Sequence, residues 1–253
     1  MTDQTEVSPP TPSGWAEPTP KVRLSHVPEG AMNLNVEGRQ LSGPLQGFGP
    51  MWQKTYTVSL PEGTASPEEV VSAWKENFKD FWLPGDHFYA PLAGLNPGEV
   101  ALINSRESVP GGLMKLSTGV MVVYSDETSF TLMTTQGHPF SGWVTFSAFE
   151  DEAGTKVQAQ VLMRANDPMW EFGMRFLGGH KTEDRIWQHT LSSVAAHFGV
   201  QSDVATEILC VDKKLQWGRA RNIWHNAGIR SGLYLTVYPF VRFRAAVRSS
   251  RRA

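Results

Sequence analysis

Cysteine is almost missing: Cys210 stands alone in 253 residues. That excludes a disulfide within the chain and a multi-thiol metal site, and a lone thiol fits a reducing cytoplasm. No apolar run approaches the ~18 residues that a spanning helix needs. The first thirty residues carry prolines and acidic side chains where a secretory signal has its apolar stretch, so none is expected there. Histidines at ligand spacing are missing too. His180, His189 and His197 follow one another at nine and eight residues, not at the four that puts two imidazoles on one helix face. Gly178-Gly179-His180-Lys181 lacks the leading glycine and the trailing hydroxyl of a phosphate loop, and no Gly-x-Ser-x-Gly elbow occurs. No metal, no cofactor and no assignable catalytic residue is expected. Acidic residues stop at Asp212. Ten basic ones follow, so the tail is +10 and the chain before it −12, within a formal net charge of −2.

What is present begins with a proline-rich segment. Pro9, Pro10, Pro12, Pro18, Pro20 and Pro28 lie among polar residues, which predicts disorder over 1–30 and a turn-rich lead-in to residue 50. Trp52–Leu60 alternates Trp52, Lys54, Tyr56 and Val58 with polar residues, as a strand does. Ser66, Pro67 and Glu69 form a capping box ahead of a helix. Its apolar face is Val70, Val71, Trp74, Phe78, Phe81 and Trp82, and Pro84-Gly85 ends it. Asp86–Gly98 reads as a loop with His87 and Tyr89. Strands are predicted over Val100–Ser105, Leu113–Ser117, Gly119–Tyr124, Ser129–Thr135, Gly142–Glu150 and Thr155–Ala165, parted by turn residues. Ile186, Trp187, Thr190, Leu191, Val194, Ala195 and Phe198 recur at steps of three and four, which predicts a helix over Thr182–Phe198 capped by Thr182 and stopped by Gly199.

Antiparallel strands followed by a long amphipathic helix predict an α+β fold, a curved sheet wrapped around that helix, over residues 51–200. Residues 1–50 are then a leading segment and 201–253 a basic aromatic extension. Wrapping leaves a tapered apolar space between sheet and helix, a natural place for a ligand.

The run Val120–Tyr124, Ser129–Met133, Gly137-His138-Pro139 and Gly142–Glu150 resembles an uncharacterised bacterial and plant family that carries a Gly-His-Pro turn between two strands. It is similar to the SRPBCC superfamily, the START-like or helix-grip fold. The resemblance spans about 119–199 and is weaker over 51–118. Phe140 stands where that family often has a charged residue. The resemblance implies a deep cavity for a hydrophobic small molecule, lipid or polyketide-like, with no shared catalytic residue. His87, Tyr89, Tyr124, His138, Trp143 and Met163 are the candidate ligand contacts, with Met114, Met121, Met133, Phe146 and Phe149 as further candidate lining. Each has an ordinary structural use as well: a turn histidine bonded to backbone, an aromatic loop, core packing. Arg164, opposite Val161 and Met163 on its strand, is expected in solvent.

Three readings stay open: a binding protein, a cyclase- or dehydratase-like enzyme using His138, Tyr89 or His87, and an interaction module with a filled core. In the tail, Trp217, Arg219, Arg221, Trp224, Arg230, Tyr234, Arg242 and Arg244 are candidate contacts to an anionic membrane surface on the cytoplasmic side. Nucleic acid is the less favoured anion, and docking of the tail on the acidic domain is the alternative.

Overall fold

The computed structural model describes residues 14–105 and 116–234. Eight antiparallel strands form one curved sheet. In chain order they are β1 (Met51–Pro61), β2 (His87–Tyr89), β3 (Val100–Ser105), β4 (Leu116–Ser125), β5 (Ser129–Thr134), β6 (Phe140–Asp151), β7 (Gly154–Ala165) and β8 (Ala205–Asp212). They lie side by side as β2-β3-β4-β5-β6-β7-β1-β8. Helix α1 (Pro67–Asn77) follows β1, and α2 (Pro168–Phe176) and α3 (Gly179–His197) follow β7. The concave face holds one apolar core against α1 and α3. This is the helix-grip arrangement.

Period-two alternation places the core. Tyr56, Val58 and Leu60 of β1, Phe130 and Leu132 of β5, Val144 and Phe146 of β6, and Val157, Ala159 and Val161 of β7 all point inward. Trp74 and Phe78 close edge-on upon Phe130 and Phe146, the arrangement that aromatic quadrupoles favour. The predicted capping box is present, with the Ser66 and Glu69 side chains each bonding the other's backbone N–H. The helix itself ends at Asn77, short of the expected Pro84. The Asn77 amide donates to the Ala73 carbonyl, and the Asp80 and Phe81 N–H groups turn back onto Asn77 O. A side chain that competes for backbone partners ends the helix there, while Phe81 and Trp82 stay buried beyond it.

Helix α3 also starts earlier than expected. Gly178 in the left-handed region (φ 79°) makes the corner from α2, and the Thr182 N–H bonds Gly178 O inside the first turn. Helix α2 and strand β8 were not expected. Helix α2 begins at an Asp167 N-cap, whose carboxylate accepts from the Met169 and Trp170 N–H groups at 2.9 and 3.0 Å. Strand β8 adds to β1 with Trp52 opposite Cys210 and Tyr56 opposite Thr206.

The flanking segments lie against the sheet where they are described. Val22 and Val36 pack with Leu102 and Met121 on the convex face. A 3-10 helix, Trp217–His225, and a helix over 227–234 follow β8. Residues 1–13, 106–115 and 235–253, with the candidates Met114, Arg242 and Arg244 named above, lie outside the described residues.

Candidate functional site: a cavity under the long helix

Between α3 and the concave sheet lies a cavity of about 80 Å³. Its walls are apolar: Ile103, Val120, Leu132, Val144, Val161 and Met163 from the strands, Phe88 and Trp82 from the segment after α1, and Ile186 and Trp187 from α3. Some of the lining residues also carry polar groups. The Thr118 hydroxyl and the Trp82 indole N–H are buried without a hydrogen-bond partner. His138 and Glu183 also reach the wall.

His138 stands in the turn between β5 and β6. The Phe140 N–H donates to its Nδ1 at 3.0 Å. The same Nδ1 lies 3.2 Å from the Phe140 carbonyl, so the two backbone groups favour opposite tautomers of the neutral ring. Burial pushes its pKa down to about 4, against a smaller upward pull from the Phe140 backbone. The ring is therefore neutral near pH 7, and its basicity is far from the match that a general base at that pH needs. The turn is held from behind. Gly137 (φ 94°) accepts from the Ala227 N–H at 2.9 Å, and a Cβ on it would collide with the His225 carbonyl.

Glu183 belongs to a buried charge network. Lys54, on the inner face of β1, donates to Glu183 at 2.8 Å and to Asp184 at 2.7 Å. The Tyr56 hydroxyl donates to the same Asp184 oxygen at 2.6 Å. Lys54 and Glu183 are 1% and 2% exposed. Burial pushes the Glu183 carboxyl up, and Lys54 pulls it back. Burial and the Glu183 charge likewise push the Tyr56 hydroxyl upward, so it stays protonated. His180, one turn earlier, is held down to about 4 by burial and then by Lys54.

The expected ligand contacts divide. His138 and Met163 line the cavity. Trp143 borders it, but pairs in register with Met133 and Leu162 on the convex face and sets its ring toward Gly43. His87, Tyr89 and Tyr124 do not line it. The segment expected as a loop is strand β2, paired with β3. Alternation turns Phe88 into the cavity and His87 and Tyr89 the other way, and the Tyr89 hydroxyl donates to Gly30 O at 3.2 Å. A bulge between Val122 and Tyr124 reverses the face of β4. Tyr124 thus lies beside Thr131 on the convex face, packs on Trp15 at 4.7 Å and bonds Asp126.

Arg164 is the clearest correction. It points to the convex face as alternation requires, yet it is 2% exposed. It donates to Gly49 O at 2.6 Å, Lys214 O at 2.9 Å and the Asp212 carboxylate at 2.5 Å. The lead-in and the segment after β8 cover that face. No group of three or more potential metal ligands occurs among the described residues.

In the extension, Trp217 and Trp224 are 71% and 80% exposed. Arg221 is exposed and Arg219 half-buried, and both border a surface cleft. Arg230 is exposed and bonds Asn35, and Tyr234 is half-buried. Helix α2 adds exposed Phe172 and Phe176. No helix among the described residues is long and apolar enough to cross a membrane.

No family model matches the chain, and no curated protein matches it. Solved structures do. The KanY protein solved by NMR is 12% identical, with 58% of this chain and 96% of that chain covered and a TM-score of 0.41. A START superfamily protein from Mycobacterium smegmatis is 18% identical, with 60% and 98% covered and a TM-score of 0.40. Ara h 8.0201 is 14% identical, with 58% and 97% covered and a TM-score of 0.40. These likenesses are likenesses of fold.

Proposed function

We propose that the protein binds a hydrophobic small molecule carrying an oxygen function in the cavity beneath α3. One observation carries this reading: an apolar cavity wall with the Thr118 hydroxyl and the Trp82 N–H buried and unpartnered. A buried polar group without a partner costs about 1–3 kcal/mol, and natural proteins keep few of them. A carbonyl or hydroxyl on an otherwise apolar ligand supplies the missing partners, and the neutral His138 ring on the wall offers a third polar contact. The size matters. At about 80 Å³ the space is below the ~150 Å³ that suffices for a benzene ring. A lipid or polyketide-like ligand therefore enters by displacing wall side chains.

The test is mass spectrometry of an organic extract of the purified protein, beside the same chain ending at Tyr234. A stoichiometric oxygenated apolar molecule supports the reading. An empty extract, with no uptake of an apolar dye, favours the second reading, an interaction module whose core is filled by its own side chains; the small cavity volume is what speaks for it. The finer proposal, action at the inner face of the cytoplasmic membrane, draws on exposed Trp217 and Trp224 beside Arg219 and Arg221. Flotation with anionic vesicles tests it, and unchanged flotation of a Trp217→Ala, Trp224→Ala variant refutes it.

A further inference from the structure

A second recess lies away from the cavity, where the 3-10 helix meets the lead-in. It measures about 390 Å³ and differs in kind from the first. Its walls are polar and basic, with Gln46, Asn166, Asn222, Arg219, Arg221 and Trp224 among them, and neither Asp nor Glu lines it. Arg219 and Arg221 have no carboxylate partner among the described residues.

More positive charge stands behind. Arg39 donates to His225 Nδ1 at 3.2 Å, and Arg230 bonds Asn35 Oδ1 at 3.0 Å. Burial, then Arg39 and Arg230, hold His225 below its ordinary value. The same pair of causes, burial and Arg230, lowers Arg39. Cations crowded together without a counter-charge make a lasting positive potential.

The floor of the recess points the same way. The Asn222 amide is spent on two carbonyls, Gln46 O at 2.7 Å and Asn166 O at 2.9 Å. Asn166 is 1% exposed. Its Oδ1 accepts from Ser141 at 2.7 Å, but its Nδ2 is buried with no partner. A buried, unused donor below two unpaired guanidinium groups calls for an acceptor-rich anion. Trp224, 80% exposed at the rim, offers a flat face to whatever the anion is attached to.

We propose that this cleft binds a phosphate ester. Arg219 and Arg221 take the phosphate oxygens, the Asn166 amide donates from below, and Trp224 packs on the organic part. The phosphate belongs to a small metabolite or to a lipid headgroup, and the chemistry of recognition is the same for both. The proposal shares Arg219, Arg221 and Trp224 with the membrane reading but rests on nothing in the cavity, so the extract experiment and this one fail independently.

The experiment uses the full chain. Phenyl phosphate is titrated and followed by phosphorus NMR, and co-flotation is measured with phosphatidylcholine vesicles with and without phosphatidic acid. The variants are Arg219→Gln with Arg221→Gln, Trp224→Ala alone, and Arg185→Gln as a control on the exposed face of α3. Arg219, Arg221 and Trp224 lie at the surface, and unchanged circular dichroism and melting temperature certify the fold. The expected result is saturable phenyl phosphate binding, weakened about tenfold or more by the double variant and unchanged by Arg185→Gln. Binding confined to phosphatidic-acid vesicles, with the same arginine dependence, supports the site and assigns the lipid source. No binding of either probe overturns the proposal. So does binding that survives the double variant, or that Arg185→Gln weakens equally, since net charge alone then explains it.

Discussion

Lys54→Met tests whether the ion network between β1 and α3 is as buried and as coupled as the structure shows. Methionine keeps most of the aliphatic stem and removes the ammonium. Two charge-assisted bonds disappear, to Glu183 at 2.8 Å and to Asp184 at 2.7 Å, and Glu183 is left 2% exposed without its cation. Removing one partner of a buried pair costs about 3–5 kcal/mol, a large part of the ~5–15 kcal/mol that holds a typical domain together.

The pH dependence has a definite sign. Burial already raises the Glu183 carboxyl, and Lys54 is the largest opposing influence; without Lys54 it rises further. An acid whose folded-state pKa is raised keeps its stability at low pH and loses it as the pH climbs through that value. His180 adds to the trend, because Lys54 is one of the groups that lower it. The deficit of Lys54→Met therefore grows as the pH rises, from about pH 4, where His180 is held in the parent, upward through neutrality as the stranded Glu183 ionises. Urea unfolding at several pH values measures it, with an unchanged m-value certifying two comparable native states. Adding Glu183→Leu removes the stranded charge and recovers roughly half of the loss or more, while Asp184 keeps its bond to Tyr56. A single-variant cost under about 1 kcal/mol, or a cost independent of pH, refutes the reasoning, since either result belongs to a solvent-exposed pair.

Other perturbations separate the remaining features. Gly137→Ala puts a side chain at φ 94° against the His225 carbonyl; a loss of about 2–3 kcal/mol is expected, with faster amide exchange at Ala227. His138→Gln removes a ring whose pKa is depressed to about 4. That ring contributes stability at neutral pH which is lost as pH falls from about 6.5 toward about 4, so the variant shows a flatter stability–pH curve than the parent over that window. Arg164→Met strips partners from two carbonyls and from Asp212, and about 3 kcal/mol and the exchange protection of β8 are expected to go together. Leu132→Ala, at a fully buried position on the cavity wall, costs about 2–5 kcal/mol and is expected to strengthen apolar dye uptake. Unchanged uptake shows that the site collapses instead.

How far the sequence carried depends on what kind of information each feature needs. Strands β1, β3, β5, β6 and β7 and the body of α3 were legible because alternation and helical periodicity report a buried face directly. Helix α2 was missed although Asp167-Pro168 is a cap followed by a first-turn proline; its exposed Phe172 and Phe176 blur the apolar stripe. Strand β8 was hidden by its place in a segment read as an extension, and most of its side chains are exposed, so no burial pattern marks it.

The site shows the sharper limit. His138 and Met163 reach the cavity wall as turn position and strand parity place them. Tyr124 was misplaced by one bulge, and a single extra residue sends every later side chain of a strand to the other face. Lys54 carries a signal in its phase alone: a lysine in step with Trp52, Tyr56 and Val58 faces the core, and a buried ammonium needs carboxylates. Periodicity says that such a partner exists. Only the packing of α3 across β1 says that it is Glu183 and Asp184, and so carries one carboxylate of that network to the cavity wall. The helix that closes the sheet therefore also sets the polarity of the space it closes, with Ile186 and Trp187 supplying its apolar side and Glu183, one turn before Trp187, the charged one.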